Sequence, residues 1–166
     1  MNGSIEIKEM TQADWPAVAE IYKEGIETGL ATFEKEIPSW EIWDRNHIDT
    51  CRLVWVQGDE LLGWAALSAV SSRCVYGGVA EVSVYVATKA RGKKVGEKLF
   101  LALISESERN GFWTLQSGIF SENVASINLH KKLGFRMVGY REKIGQLNGV
   151  WRNTTLMERR SKIVGA

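Results

Sequence analysis

One stretch of this chain combines a carboxylate, a glycine-bearing loop and a run of cations. It reads Glu81-Val-Ser-Val-Tyr-Val86, then residues 87–90, then Arg91-Gly92-Lys93-Lys94-Val95-Gly96. Alternating β-branched residues predict a strand over Val79–Val86, and apolar residues at helical spacing predict a helix over Val95–Arg109. The basic loop therefore opens a helix. Backbone N–H groups at a helix start are unpaired and carry partial positive charge, which suits an anion. Gly92 and Gly96 let the backbone approach closely, and Arg91, Lys93 and Lys94 add full charges. The loop is thus a candidate pyrophosphate cradle; a solvated basic turn has the same residues. Neither GxxxxGK[ST] nor GxGxxG is present.

Glu81 is the other chemical candidate. A carboxylate in an otherwise apolar strand is costly to bury and needs a reason. It can accept a proton directly or through water, or it can be a solvated or ion-paired surface group. Strand alternation directs Glu81, Ser83 and Tyr85 away from the face of Val82, Val84 and Val86.

The elements that must position these groups follow from periodicity. Ile5 and Ile7 alternate with charges in a short strand. Thr11 and Asp14 form a capping pair ahead of a helix through Trp15, Val18, Tyr22 and Ile26 to about Thr28. Ser39 caps a second helix through Trp40, Ile42 and Trp43. Strands are expected over 51–56 and 61–69 around the turn Gln57-Gly58-Asp59-Glu60. Gly111 stops the helix over Val95–Arg109. A strand over 114–119 follows. Ser121 then caps a helix over 122–133, which Gly134 stops, and strands over 136–140 and 151–158 are joined by a glycine-containing loop. The order β-α-α-β-β-β-α-β-α-β-β is α+β, or mixed α/β, with one central mixed sheet flanked by helices. It is not the strict alternation of a doubly wound nucleotide fold.

Bulk properties bound the reading. The 166 residues, 45% hydrophobic and 25% charged, suit one domain over 1–166. A net charge of +1 gives no support to nucleic-acid or anionic-membrane binding. Cys51 and Cys74 make no disulfide framework and lack metal-ligand spacing. Residues 1–10 contain no apolar signal core, and no stretch is long and apolar enough to cross a bilayer, so a cytoplasmic protein is expected.

Two motifs together carry a family resemblance. Arg91-Gly92-Lys93-Lys94-Val95-Gly96 resembles the Q/R-x-x-G-x-G/A acetyl-CoA signature of the GNAT superfamily of acetyltransferases. Asn123-Val-Ala-Ser126-Ile-Asn-Leu-His130-Lys-Lys-Leu-Gly134-Phe135 resembles that family's N-x-x-S/A-x-x-L-[Y/H]-x-x-x-G-F helix. The element order is similar to the GNAT fold over nearly the whole chain. Ile21-Tyr22-Lys23-Glu24-Gly25-Ile26-Glu27-Thr28 with Ala31-Thr32-Phe33-Glu34, Arg73-x-x-Tyr76, and residues 80–86 are similar to the phosphinothricin/methionine sulfone N-acetyltransferase group. Lys94 departs from the pattern by standing where the signature has its middle glycine. Lys23 and Asn153 replace an Asn and an Asp.

The resemblance implies direct attack of an amine on the thioester of acetyl-CoA, with no metal. It implies that Val84, Tyr85 and Val86 offer backbone groups to the pantetheine arm, and that Arg91, Gly92, Lys93, Lys94, Val95, Gly96 and Glu97 hold the pyrophosphate. Asn123 and Ser126 would bond the arm. Glu81 becomes the general base and His130 a candidate proton donor to the departing thiolate, or else a packed helix histidine. Arg73 becomes the partner of a substrate carboxylate, or a solvated loop arginine. Tyr76, Thr28, Thr32 and Phe33 become pocket walls, with Trp64 and Trp151 further wall candidates. The acceptor expected is a small amino-acid-like amine and the assembly a homodimer. A protein or peptide N-acetyltransferase, which needs an open groove, and a non-catalytic acyl-CoA-binding module remain as rival readings.

Overall fold

The computed structural model describes residues 3–166. Met1 and Asn2, the start of the domain expected over 1–166, lie outside the described residues. The chain runs through strand β1 (Ile5–Glu9), helices α1 (Trp15–Glu27) and α2 (Trp40–Asn46), and strands β2 (Leu53–Gln57), β3 (Glu60–Ala69) and β4 (Val79–Val86). Helix α3 (Val95–Arg109), strand β5 (Thr114–Phe120), helix α4 (Val124–Lys132) and strands β6 (Arg136–Leu147) and β7 (Val150–Arg160) complete it. The order is the one that periodicity predicts.

All seven strands join one sheet in the order β1-β2-β3-β4-β5-β7-β6. Among the described residues only β4 and β5 are parallel, as a strand–helix–strand crossover requires. Helices cover both faces. A Cβ at Gly63 of β3 would meet Leu99 and Val95 of α3, whereas Trp64, the next residue, packs against Tyr22 of α1. The core is continuous across the sheet, with Leu67, Leu99, Leu103 and Trp64 fully buried.

Local chemistry sets the boundaries. The Thr11 amide donates to Asp14 at 2.8 Å, starting a 3-10 turn (Gln12–Asp14) that feeds α1. Ser39 caps α2 by accepting from the Ile42 amide. Three expectations need correction. Cys51 is outside β2, because it has φ +60°. The cap of α4 is Asn123, whose side chain accepts from the Ser126 amide at 3.2 Å. Ser121 stays with β7, its amide bonded to Asn153 O and its hydroxyl to Thr155. The expected loop between the last strands shrinks to Asn148-Gly149, both at positive φ as a type I′ hairpin turn demands.

Candidate active site

The site begins where β4 and β5 part. They pair only from Val79–Thr114 to Glu81–Gln116. Beyond that, residues 82–86 keep β3 on one side, while residues 117–120 of β5 keep β7. The facing edges carry backbone groups with no strand partner. A cavity of about 380 Å³ fills the wedge. Its lining includes Glu81, Val84, Tyr85 and Val86 of β4, Gly96 of α3, and Asn123, Ser126 and His130 of α4's end of the wedge. Thr32 and Phe33 of the α1–α2 loop line it too. Ten of the expected site residues are therefore brought together around one space.

Glu81 stands at the apex, where the strands separate. Its side chain is exposed, so the cost of burying a carboxylate does not arise, and Gln116 donates to it at 3.4 Å. Tyr85, two strand pairs further along the same face, stacks on Trp64 with ring centroids 4.8 Å apart. Burial pushes its phenol well above the ordinary range, with Tyr22 adding to the effect. The ring fits because α1 has Gly25 there: a Cβ would lie 2.5 Å from the Tyr85 ring. Thr32 faces both phenols, opposing the rise at Tyr85 and at Tyr22.

His130 is buried, 6% exposed, between the rings of Phe100 and Phe135 at 4.9 and 5.0 Å. Burial lowers its pKa, opposed by the hydrogen bond to Ser126 O. Nδ1–H donates to that carbonyl at 2.7 Å, so the neutral ring presents a lone pair at Nε2, which has no protein partner. In this form it has no second proton to give.

The basic loop lies at the N-terminal end of α3 but does not line the cavity. Arg91, Gly92, Lys93 and Lys94 are exposed. Gly92 and Lys94 have φ +77° and +62°. Lys94 is the N-cap of α3 in the left-handed region, where a glycine has no steric penalty and a lysine does. Val95 is buried against the sheet, and Glu97 pairs with Lys132 of α4 at 2.9 Å, which holds its carboxyl below the usual range. The loop thus offers free amides and cations, with its one acid already neutralised.

Several expected residues stand elsewhere. Arg73 and Tyr76 sit on an exposed 3-10 turn, the guanidinium 5.5 Å from the Tyr76 ring, outside the cavity lining. The Thr28 hydroxyl donates to Gly25 O at the end of α1. Trp64 is completely buried and Trp151 is 55% exposed, and neither lines the cavity. Asn153 accepts from the Lys143 amide at 2.8 Å and so supports an irregularity in β6. The cavity also uses residues outside the expected set, among them Leu30, Ser117, Gly118, Phe120 and Thr154. Gly118 carried a signal. A glycine inside a strand marks close approach of another group, and nothing lies within 4 Å of a Cβ built there.

Residues 8–135 match the acetyltransferase (GNAT) family; the chain belongs to that family. It is 32% identical over 162 residues, 89% of each chain, to the L-methionine sulfoximine/L-methionine sulfone acetyltransferase of Salmonella typhimurium. The GNAT superfamily phosphinothricin acetyltransferase of Sinorhizobium meliloti, solved in complex with acetyl-CoA, has a TM-score of 0.87 at 29% identity, covering 99% of this chain and 91% of that one. The ribosomal-protein-alanine N-acetyltransferase of Brucella melitensis has a TM-score of 0.87 at 30% identity, covering 94% and 99%. This chain is an acetyl-CoA-dependent N-acetyltransferase. Residues 82–86 leave one strand edge unpaired, the kind of edge with which an extended pantetheine arm can pair. Among the described residues no group of three or more His, Cys, Asp or Glu converges to hold a metal, and no helix is long and apolar enough to cross a membrane.

Proposed function

We propose that the chain acetylates the amino group of a small amino-acid-like acceptor, of the methionine sulfone, methionine sulfoximine or phosphinothricin type. The observation that carries this is the placement of Glu81 at the apex of the wedge, beside the free edge of β4 and within a cavity lined on its other side by Thr32 and Phe33. A carboxylate in contact with water and not tied to a cation can take the proton of an arriving ammonium. The nitrogen lone pair then forms a C–N bond to the thioester carbonyl carbon. The carbonyl electrons move to oxygen, where a backbone N–H of residues 82–86 donates. Collapse breaks the C–S bond, and the second proton on nitrogen passes to the thiolate. One proton rests on Glu81, and the products are the amide and free CoA.

In this reading Arg91, Lys93 and Lys94 screen the pyrophosphate, which the amides of residues 92–97 bind. Asn123 and Ser126 flank the arm. His130 shapes the wall as a neutral group. Arg73 and Tyr76 do not line the cavity of one chain, so in this reading a carboxylate role for Arg73 is supplied from a second copy. We infer one: among the described residues the outer edge of β6 has no strand partner, and Met137, Tyr140, Ile144, Val150 and Trp151 are exposed on its hairpin. One domain over the whole chain and a cytoplasmic setting belong to the same reading.

The test is thiol release from acetyl-CoA against amino acids, their sulfone, sulfoximine and phosphinate analogues, and short peptides. Turnover on the small analogues is expected. Turnover on peptides alone would replace this reading with protein acetylation, and silence alongside acetyl-CoA binding would replace it with a binding module.

A further inference from the structure

The acceptor side of the cavity is roofed by Leu30, Ala31, Thr32 and Phe33, within a connection of twelve residues between α1 and α2 that has no regular structure. A segment without a backbone ladder needs other groups to fix its position. Its own threonines bond locally, Leu30 N to Thr28 and Glu34 N to Thr32. Two side chains from the far side of the wedge reach its carbonyls. Asn123 Nδ2 donates to Leu30 O at 3.2 Å, and Arg152 Nη1 donates to Gly29 O at 3.0 Å.

Arg152 is built into this position. Its side chain is only 15% exposed. The guanidinium lies 4.1 Å from the centroid of Phe120, whose ring meets Phe33 edge-on at 4.7 Å. Its other end donates to Glu122 at 3.4 Å, just ahead of α4. One planar cation thus holds the start of the roof, covers the aromatic that supports Phe33, and anchors to the strand–helix junction of the cofactor side. Gly29, the residue it grips, has φ +67° and open space around it, so the chain there has freedom that the contact removes.

We propose that Arg152 is a positioning residue for acetyl transfer: it clasps the roof at Gly29 O and fixes Phe33 and Thr32 over the acceptor. It does not touch the reacting atoms. The inference rests on the acceptor lying beneath that roof, and its first readout needs no turnover. Only a planar guanidinium can stack on Phe120 while donating at both ends. An ammonium cannot, so Arg152→Lys behaves as a loss, and Arg152→Met keeps the apolar cover without the donors.

The experiment compares wild type, Arg152→Met and Arg152→Lys by amide hydrogen exchange, with methionine sulfone kinetics alongside. Faster exchange confined to residues 29–34 is expected in both variants, with the unfolding midpoint little changed. In the kinetics the acceptor KM rises about tenfold, the loss of roughly one charged hydrogen bond, while the KM for acetyl-CoA moves less than about twofold. Added guanidinium ion restores part of the acceptor KM in Arg152→Met and has no such effect on wild type. Unchanged exchange at 29–34 overturns the clasp whether or not the enzyme turns over methionine sulfone, and so does full function in Arg152→Lys. Absence of wild-type turnover, with the exchange result intact, counts only against the assigned acceptor.

Discussion

The two walls of the wedge are made in different ways. In the proposed reading the cofactor wall is mostly backbone: the free edge of β4, the amides at the start of α3, and the cap of α4. The acceptor wall is mostly side chains from separate elements. Phe33 comes from the α1–α2 loop, Phe120 from β5 and Thr154 from β7, with Arg152 of β7 over the Phe120 ring and Gly145 of β6 leaving only 3.1 Å between a Cβ and the Phe33 ring. A wall of backbone accepts changes of side chain, and a wall of side chains does not. Enzymes that share one cofactor can therefore differ in acceptor without changing fold.

The largest effect belongs to the residue at the junction of the walls. Glu81→Gln keeps the size of the side chain and its place beside Gln116 and removes the proton acceptor. The expected loss in kcat/KM is about 100-fold or more, roughly 3 kcal/mol, shrinking at high pH where the acceptor amine loses its proton unaided. Acetyl-CoA binding should stay near wild type by calorimetry. A pH profile identical to wild type would remove Glu81 from the chemistry and leave both walls without a base.

How far each wall is visible in the sequence follows from its construction. The cofactor wall is local. Residues 81–97 form one continuous stretch whose glycines and cations have meaning in order, and residues 123–135 form another. The acceptor wall is assembled by topology. Phe120 meets Phe33 across 87 positions because β5 lies between β4 and β7, and no spacing rule relates Leu30 to Thr154. Arg73 and Trp151 stand out in the sequence by residue type, yet one lies on an exposed turn and the other on an outer hairpin. Arg152, next to Trp151, carried no such signal, because its role depends on where Gly29 arrives.

The next effect tests whether the acceptor wall acts alone. Phe33→Ala removes the ring between Phe120 and Gly145. The half-exposed position limits the stability cost to about 1–2 kcal/mol, below that of a core Phe. The acceptor KM should rise about tenfold with the acetyl-CoA KM steady. A matching change in both constants would mean that the walls are not separable.

Two buried or half-buried histidines lie near the wedge. His47 stacks on Trp43 at 4.0 Å, and His130 lines the cavity itself. Burial holds both below the ordinary imidazole range. An unfolded chain takes up those protons near the ordinary value, about 6.5, before the folded chain does. Unfolding therefore binds protons in that window, and stability falls as pH drops through it and is level above it. Thermal unfolding between about pH 7.5 and 5.5 should show this slope, and His47→Gln and His130→Gln should each remove part of it. A slope untouched by either substitution would assign the acid sensitivity to the carboxylates.

The smallest effect falls at Lys94, where the claim about a backbone wall is most exposed. Its left-handed φ of +62° costs a non-glycine residue about 1–2 kcal/mol, and Lys94→Gly removes that strain. Glycine also loosens the unfolded chain by about 0.5–1 kcal/mol. The net gain is about 0.5 kcal/mol, a rise of about 1–2 °C in Tm. If the amides of α3 hold the pyrophosphate, acetyl-CoA affinity stays within about threefold, because one exposed cation contributes less than about 1 kcal/mol. A tenfold loss of affinity would show that the Lys94 ammonium is a ligand, and that this part of the cofactor wall, like the acceptor wall, depends on its side chain.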